Sequence, residues 1–267
     1  DMANREKIAK LMRFSTTADA ATEQRVSLDD YVSRMGEDQE VIWYVTAENR
    51  KAAENSPHLE IFRKKGIEVL LMSDRIDEWV MGYFTEFEGK KLRSIAKGDV
   101  DLDSKQEKED KKDAKEEEAD PLLKRLSDAL TDRVSEVRAS QRLTESASCL
   151  VLSEQDLALH MRRMLEQAGQ TLPDSKPALE VNLDHPLLKQ VAAVESDEQL
   201  KDWATLLLDQ AVLSEGGQLE DPSSFVQLVN RPLFKADKKR LREGPCGSSR
   251  LPFISRFIHL SKISLAV

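Results

Sequence analysis

Cysteine is almost missing from this sequence: the two present, Cys149 and Cys246, lie far apart and in no CxxC spacing. That argues against a disulfide framework or a thiolate zinc site, and two isolated thiols fit a reducing compartment, so the chain is expected in the cytoplasm. Long apolar runs are missing too. No stretch approaches the roughly 20 residues of a membrane-spanning helix, so no membrane partner is expected. The first residues, DMANREKIAK, lack the basic-then-apolar pattern of an export signal, and no methionine stands at position 1, so the chain reads as a fragment. Positive charge is in deficit, with 40 Lys and Arg against 49 Asp and Glu. A general nucleic-acid binder needs a clustered basic face, and this composition argues against one.

The signatures of catalysis are absent as well. Gly82 and Gly89-Lys90-Lys91 have the wrong spacing for a phosphate-binding loop and lack the Ser or Thr that would meet magnesium. There is no GxSxG elbow, HExxH helix or DxDxDG loop, and His58, His160, His185 and His259 never share a face at ligand spacing. The expectation is therefore no enzyme, no catalytic residue and no metal site.

What is present is a strong local grammar, concentrated at 59–87, LEIFRKKGIEVLLMSDRIDEWVMGYFTEF. A basic helix end closes on Gly66, an apolar strand follows at 67–72, and Ser73-Asp74 is placed to open a helix bearing Trp79. Upstream, Arg5 to Phe14 reads as a helix, and Ser27 caps a short helix through Met35. Residues 41–46, VIWYVT, read as a strand buried on both faces. Ser56-Pro57 has the form of a serine cap with proline at the first helical position. Two apolar strands joined by helix imply a parallel pair, and 84–95 reads as a hairpin turning at Glu88-Gly89-Lys90.

Composition shifts at 99–120, where almost every residue is Asp, Glu or Lys, as in a linker. A helix then starts at Pro121 behind Asp120, with Leu122, Leu126, Leu130, Val134 and Val137 on one face. Strand character at 143–152 and 178–183 flanks a helix at 154–168, for which Ser153 and Asp156 form a capping-box pattern. Ser196 with Gln199 opens another helix at 197–214, and Asp221-Pro222 opens the last. After Arg231 the text turns basic and interrupted, and 232–267 reads as frame-shifted or foreign to what precedes it.

The segments SPHLEIFRKKGIEVLLMSDRIDEW (56–79), SLDDYVSRM (27–35) and VIWYVTA (41–47) resemble the heat-shock protein 90 chaperone family in its bacterial branch, with the likeness continuing to about Arg231. The resemblance implies an α/β plus α+β fold. Residues 1–98 would be the later part of a three-layer α/β middle domain and 99–119 a charged linker. Residues 120–231 would form a mostly helical C-terminal dimerisation and client-contact domain with a small sheet. The full-length family uses ATP and magnesium, bound by an N-terminal domain and assisted by an arginine that lies before residue 1, so no cofactor is expected in this stretch. It further implies partly folded client proteins and a second copy as partners. Client contact would fall to Glu78, Trp79, Leu157, Met161, Met164 and Leu165. The dimer interface would comprise Leu200, Trp203, Ala204, Leu207, Ala211, Phe225, Leu228 and Val229. Read without the resemblance, Trp79 is an ordinary core residue and the methionine stripe is core. The competing function is an adaptor that self-associates through its C-terminal helices.

Overall fold

The apolar run at 41–46 becomes strand β2 (Val41–Thr46), and its side chains alternate between two buried faces. Ile42 and Tyr44 enter a cluster with Leu28, Tyr31, Leu70, Met72, Met81, Phe84 and Leu92. Trp43 and Val45 enter another with Ala53, Leu59, Phe62, Leu71 and Ile95, where Trp43 meets Phe62 edge-on at 5.2 Å. A strand buried on both faces needs no polar alternation, which is why the run is unbroken. The computed structural model describes residues 4–18, 24–100, 102, 121–173 and 175–231. Most of the predicted linker, the predicted cap Asp120 and the whole stretch 232–267 lie outside the described residues. Residues up to Phe225 belong to one unit and those from Val226 onward to a second.

The first sheet has the order β1 (Ser15–Thr16), β3 (Leu70–Met72), β2, β5 (Lys90–Ser94), β4 (Glu86–Phe87). β2 runs parallel to both β3 and β5, while the two edge strands are antiparallel to their neighbours. The parallel pair predicted from sequence is thus present, with the crossover supplied by α3 (Arg50–Glu54), a 3-10 turn at Pro57–Leu59 and α4 (Glu60–Lys65). Gly66 ends α4 in the left-handed region at φ 68°, where a side chain would be strained. The hairpin turns on Glu88 and Gly89, both at positive φ, matching the two-residue loop whose twist suits antiparallel strands. Helix α1 (Arg5–Leu11) lies near this hairpin, with Lys10 paired to Glu88 at 3.3 Å. Helix α2 (Leu28–Arg34) begins with the expected cap, here a reciprocal box between Ser27 and Asp30.

Two predicted caps are corrected. Ser56 makes no capping bond, and Pro57 opens the 3-10 turn instead of an α-helix. Ser73-Asp74 does not cap the next helix, which starts later as α5 (Asp77–Tyr83); the Asp74 N–H donates to the Asp77 carboxylate.

The second sheet has the order β6 (Val137–Ala139), β8 (Ala178–Val181), β7 (Ser148–Val151), with β8 parallel to β6 and antiparallel to β7. Around it pack α6 (Pro121–Leu130), α8 (Pro186–Ala192) and α9 (Asp197–Ser214). Leu126, Leu150, Leu179, Val191, Ala204 and Leu207 meet in the cluster they share. The predicted α6 face is shorter than expected. The helix ends at Leu130, Val134 follows in the connection, and Val137 opens β6, because its side chain reaches the same core from a strand. Helix α7 (Leu159–Gln167) also starts later than the capping-box pattern implies. The Asp156 carboxylate accepts from the Ser153 N–H in a turn that precedes the helix. Asp221 accepts from the N–H groups of Ser223 and Ser224 and so opens α10 at 222–231, as predicted. The chain is a mixed α/β protein. No helix among the described residues is long and apolar enough to cross a membrane.

Candidate client-contact site at α5 and α7

Helix α5 packs Met81 into the core and leaves Trp79 half exposed, at 50%. Ile76 at 65% and Tyr83 at 74% share the same face, since positions three and seven apart return to one side of a helix. Trp79 is therefore not the core residue that its type alone implies. Isolated exposed apolar residues are ordinary, whereas three large ones on one face of a short helix and its N-cap form a patch that excludes water only when something covers it.

Its neighbour Glu78 faces the other way. The residue is buried, and its carboxylate accepts from the Lys97 ammonium at 2.6 Å, the Thr46 hydroxyl at 2.7 Å and the Ala158 N–H at 3.3 Å. Burial pushes the Glu78 carboxyl up, but Lys97, with Thr46 and Ala158, outweighs burial and holds it below its ordinary value. With its oxygens so engaged, Glu78 is turned inward.

Ala158 immediately precedes α7, so this carboxylate ties α5 to the second predicted element. On α7, Met164 is exposed at 38%, Leu165 is half-buried and Met161 is fully buried, while Leu157, just before the helix, is half-buried. Met161 thus anchors the helix, and Met164 is the methionine offered at the surface. Two further ion pairs hold this segment against the first sheet: Arg163 to Glu48 at 2.8 Å and Arg93 to Glu154 at 2.6 Å. His160 is buried beside them; burial lowers its pKa although Glu78, Glu48 and Glu215 are near. A cavity of about 1000 Å³ opens beside α5, with Tyr44, Met81, Gly82, Lys97 and Glu154 in its wall.

The two sheets are joined elsewhere by groups that sequence reasoning did not single out. Leu152 donates its N–H to the Ala96 carbonyl and accepts from the Gly98 N–H, extending β7 onto the chain that leaves β5. Glu60, at the start of α4, accepts from the backbone N–H groups of Thr144, Glu145 and Ser146. Arg142 is buried and donates to the carbonyls of Ile95 at 2.7 Å and Gly98 at 2.9 Å, and to Glu180 at 2.9 Å. Among the described residues no three His, Cys, Asp or Glu side chains gather into a metal site.

The sequence matches the family described as Hsp90 protein over residues 1–242. The chain belongs to the Hsp90 family. It is 52% identical over 252 residues to the Chaperone protein HtpG of Alkalilimnicola ehrlichii, covering 94% of this chain and 38% of that protein. The HtpG of Legionella pneumophila strain Paris is 53% identical over 236 residues, and that of Bordetella pertussis 52% over 238, each covering 88% of this chain. The chain spans 38% and 37% of the length of those two relatives. The Hsp90 match extends to residue 242, past Arg231, where the motif resemblance ends.

The residues that the Hsp90 resemblance assigns to a dimer interface lie on α9 and α10. Leu200, Ala204, Leu207 and Ala211 are buried in the chain's own core around the second sheet, with Trp203 half-buried against it. On α10, Phe225 and Val229 are half-buried and Leu228 is buried.

Glu60 and Glu78 give this Hsp90 chain a defined acid response. Burial raises the Glu60 carboxyl, and the N–H groups of Glu145, Ser146 and Thr144 more than offset that, so its pKa also lies below the ordinary 4.5. Both groups lose their protons more readily folded than unfolded. Their stabilisation is complete above the unfolded value and is lost as pH falls through the lower folded values. Asp77 runs the other way, because burial raises its pKa. The expected result is a urea midpoint that drops below about pH 5, with a shallower drop in Glu60→Gln. Equal slopes in the two proteins would remove Glu60 from this account.

Proposed function

We propose that this chain is the client-contacting part of an Hsp90-type chaperone, in which Trp79 and Met164 present adaptable apolar surface to partly folded proteins. The observation that carries the reading is the half-exposed Trp79, on a helix anchored by Met81 and Glu78, flanked by exposed Ile76 and Tyr83. A rigid aromatic with a flexible methionine on a neighbouring element suits a surface that must accept many sequences. The relatives are named as chaperone proteins, which supports the same reading.

In this proposal ATP binding and hydrolysis, with magnesium, belong to a part of the full-length protein outside this sequence, and the chain works in the cytoplasm as part of a homodimer. Residues 1–98 form the later middle domain and 120–231 the dimerisation and client-contact domain. A second copy would meet what α9 leaves at the surface, the half-buried Trp203 and the exposed Leu213, instead of the buried stripe between them.

The test measures suppression of aggregation and direct binding of a destabilised client. Trp79→Ala and Met164→Ser are each expected to weaken binding by roughly tenfold, about 1.4 kcal/mol, with unchanged urea midpoints. Undiminished binding in both variants would overturn the assignment.

A further inference from the structure

We infer that Glu78 is a positioning residue that caps helix α7 from helix α5, and that Lys97 holds it there. The first turn of a helix leaves N–H groups without intrahelical partners, and α7 has no capping side chain of its own. The Ser153 and Asp156 side of the chain, which the sequence offers for that purpose, is spent in a turn before the helix starts. The Ala158 N–H instead finds the Glu78 carboxylate at 3.3 Å. A negative charge at that end also suits the helix dipole.

Three further contacts fix the geometry. Lys97 binds the same Glu78 oxygen at 2.6 Å, and its flanking residues Ala96 and Gly98 are bonded to Leu152, so the lysine is referenced to the second sheet as well as the first. Thr46, at the end of β2, donates to the other Glu78 oxygen at 2.7 Å. Two residues on, Glu48 holds Arg163 of α7 at 2.8 Å. One short stretch of backbone therefore steadies the capping carboxylate and the middle of the capped helix together. Glu78 is next to Trp79, so the orientation of the exposed tryptophan and the start of the methionine-bearing helix share one support. The consequence for client contact rests on the function proposed above; the capping itself does not.

Amide hydrogen exchange on the full chain tests it. Glu78→Ala is expected to raise exchange about fivefold at Ala158 and at Arg162, whose N–H makes the first bond of α7 to the Ala158 carbonyl. Amides of β2 should stay within twofold of the parent. Glu78→Gln keeps an acceptor and is expected to restore much of the protection, whereas Lys97→Met should loosen the same two amides. Trp79→Ala should leave them unchanged while weakening client binding. Protection at Ala158 and Arg162 within twofold of the parent in Glu78→Ala would overturn the inference. So would an equal rise across β2, or no rescue by Gln. If Trp79→Ala binds client normally while Glu78→Ala still frees the two amides, the client reading fails and the capping role stands.

Discussion

Replacing Arg142 with methionine is expected to destabilise the folded chain by about 3 kcal/mol, the lower end of what breaking a buried ion pair costs. Arg142 is only 3% exposed and Glu180 4%. The substitution takes its buried partner from that carboxylate and also leaves the buried Ile95 carbonyl and the part-buried Gly98 carbonyl without their donor. The cost stays near the lower end because Glu180 keeps the partly exposed Arg138 at 2.9 Å and the Ser140 hydroxyl at 2.9 Å. Urea unfolding followed by tryptophan fluorescence measures it. Changing Glu180 to methionine as well should recover a large part of the loss, since a buried pair replaced whole by apolar groups of similar volume is often neutral. A single-variant loss below about 1 kcal/mol would mean that the guanidinium is solvated and the junction is loose.

Arg142 also marks the limit of what the sequence shows. In SQRLTES nothing separates it from a surface arginine, because its partners lie at Glu180, Ile95 and Gly98, tens of residues away. Glu60 has the same character, appearing as the acidic first turn of a short helix while it collects three N–H groups from 144–146. Signals that act over a few residues were readable. The αL glycine at 66, the cap at Ser27, the two-faced strand at 41–46 and the hairpin at 88–89 are each written in a few consecutive residues. Errors came where one local pattern has two solutions. Ser153 with Asp156 can open a helix or close a turn, and Asp74 with Asp77 can cap in either direction. Tertiary contacts chose, by giving α7 its carboxylate from Glu78.

Apolar spacing on α9 posed the same ambiguity at larger scale, and Leu207→Ala decides it. Leu200, Ala204, Leu207 and Ala211 form a helical stripe that suits either a two-fold interface or a core, because both bury a stripe. Leu206, Leu207 and Leu208 are all buried, so α9 is covered over much more than one stripe, as expected of a helix inside its own domain. Asp209 is buried there too and pairs with Arg133 at 2.8 Å. Leu207 has no exposed surface, packs in the cluster around the second sheet, and its carbonyl accepts from the buried Ser148 hydroxyl. Truncating it removes a methine and two methyl groups from a packed site and is expected to cost about 2–5 kcal/mol. The two roles differ in how the loss depends on concentration. A core residue lowers the urea midpoint equally at low and high protein concentration. An interface residue instead lowers the association constant, so its effect on stability grows with dilution. The expected result is a concentration-independent loss of at least about 2 kcal/mol, with the oligomeric state measured by light scattering unchanged. A normally folded monomer in place of a dimer would return Leu207 to the interface.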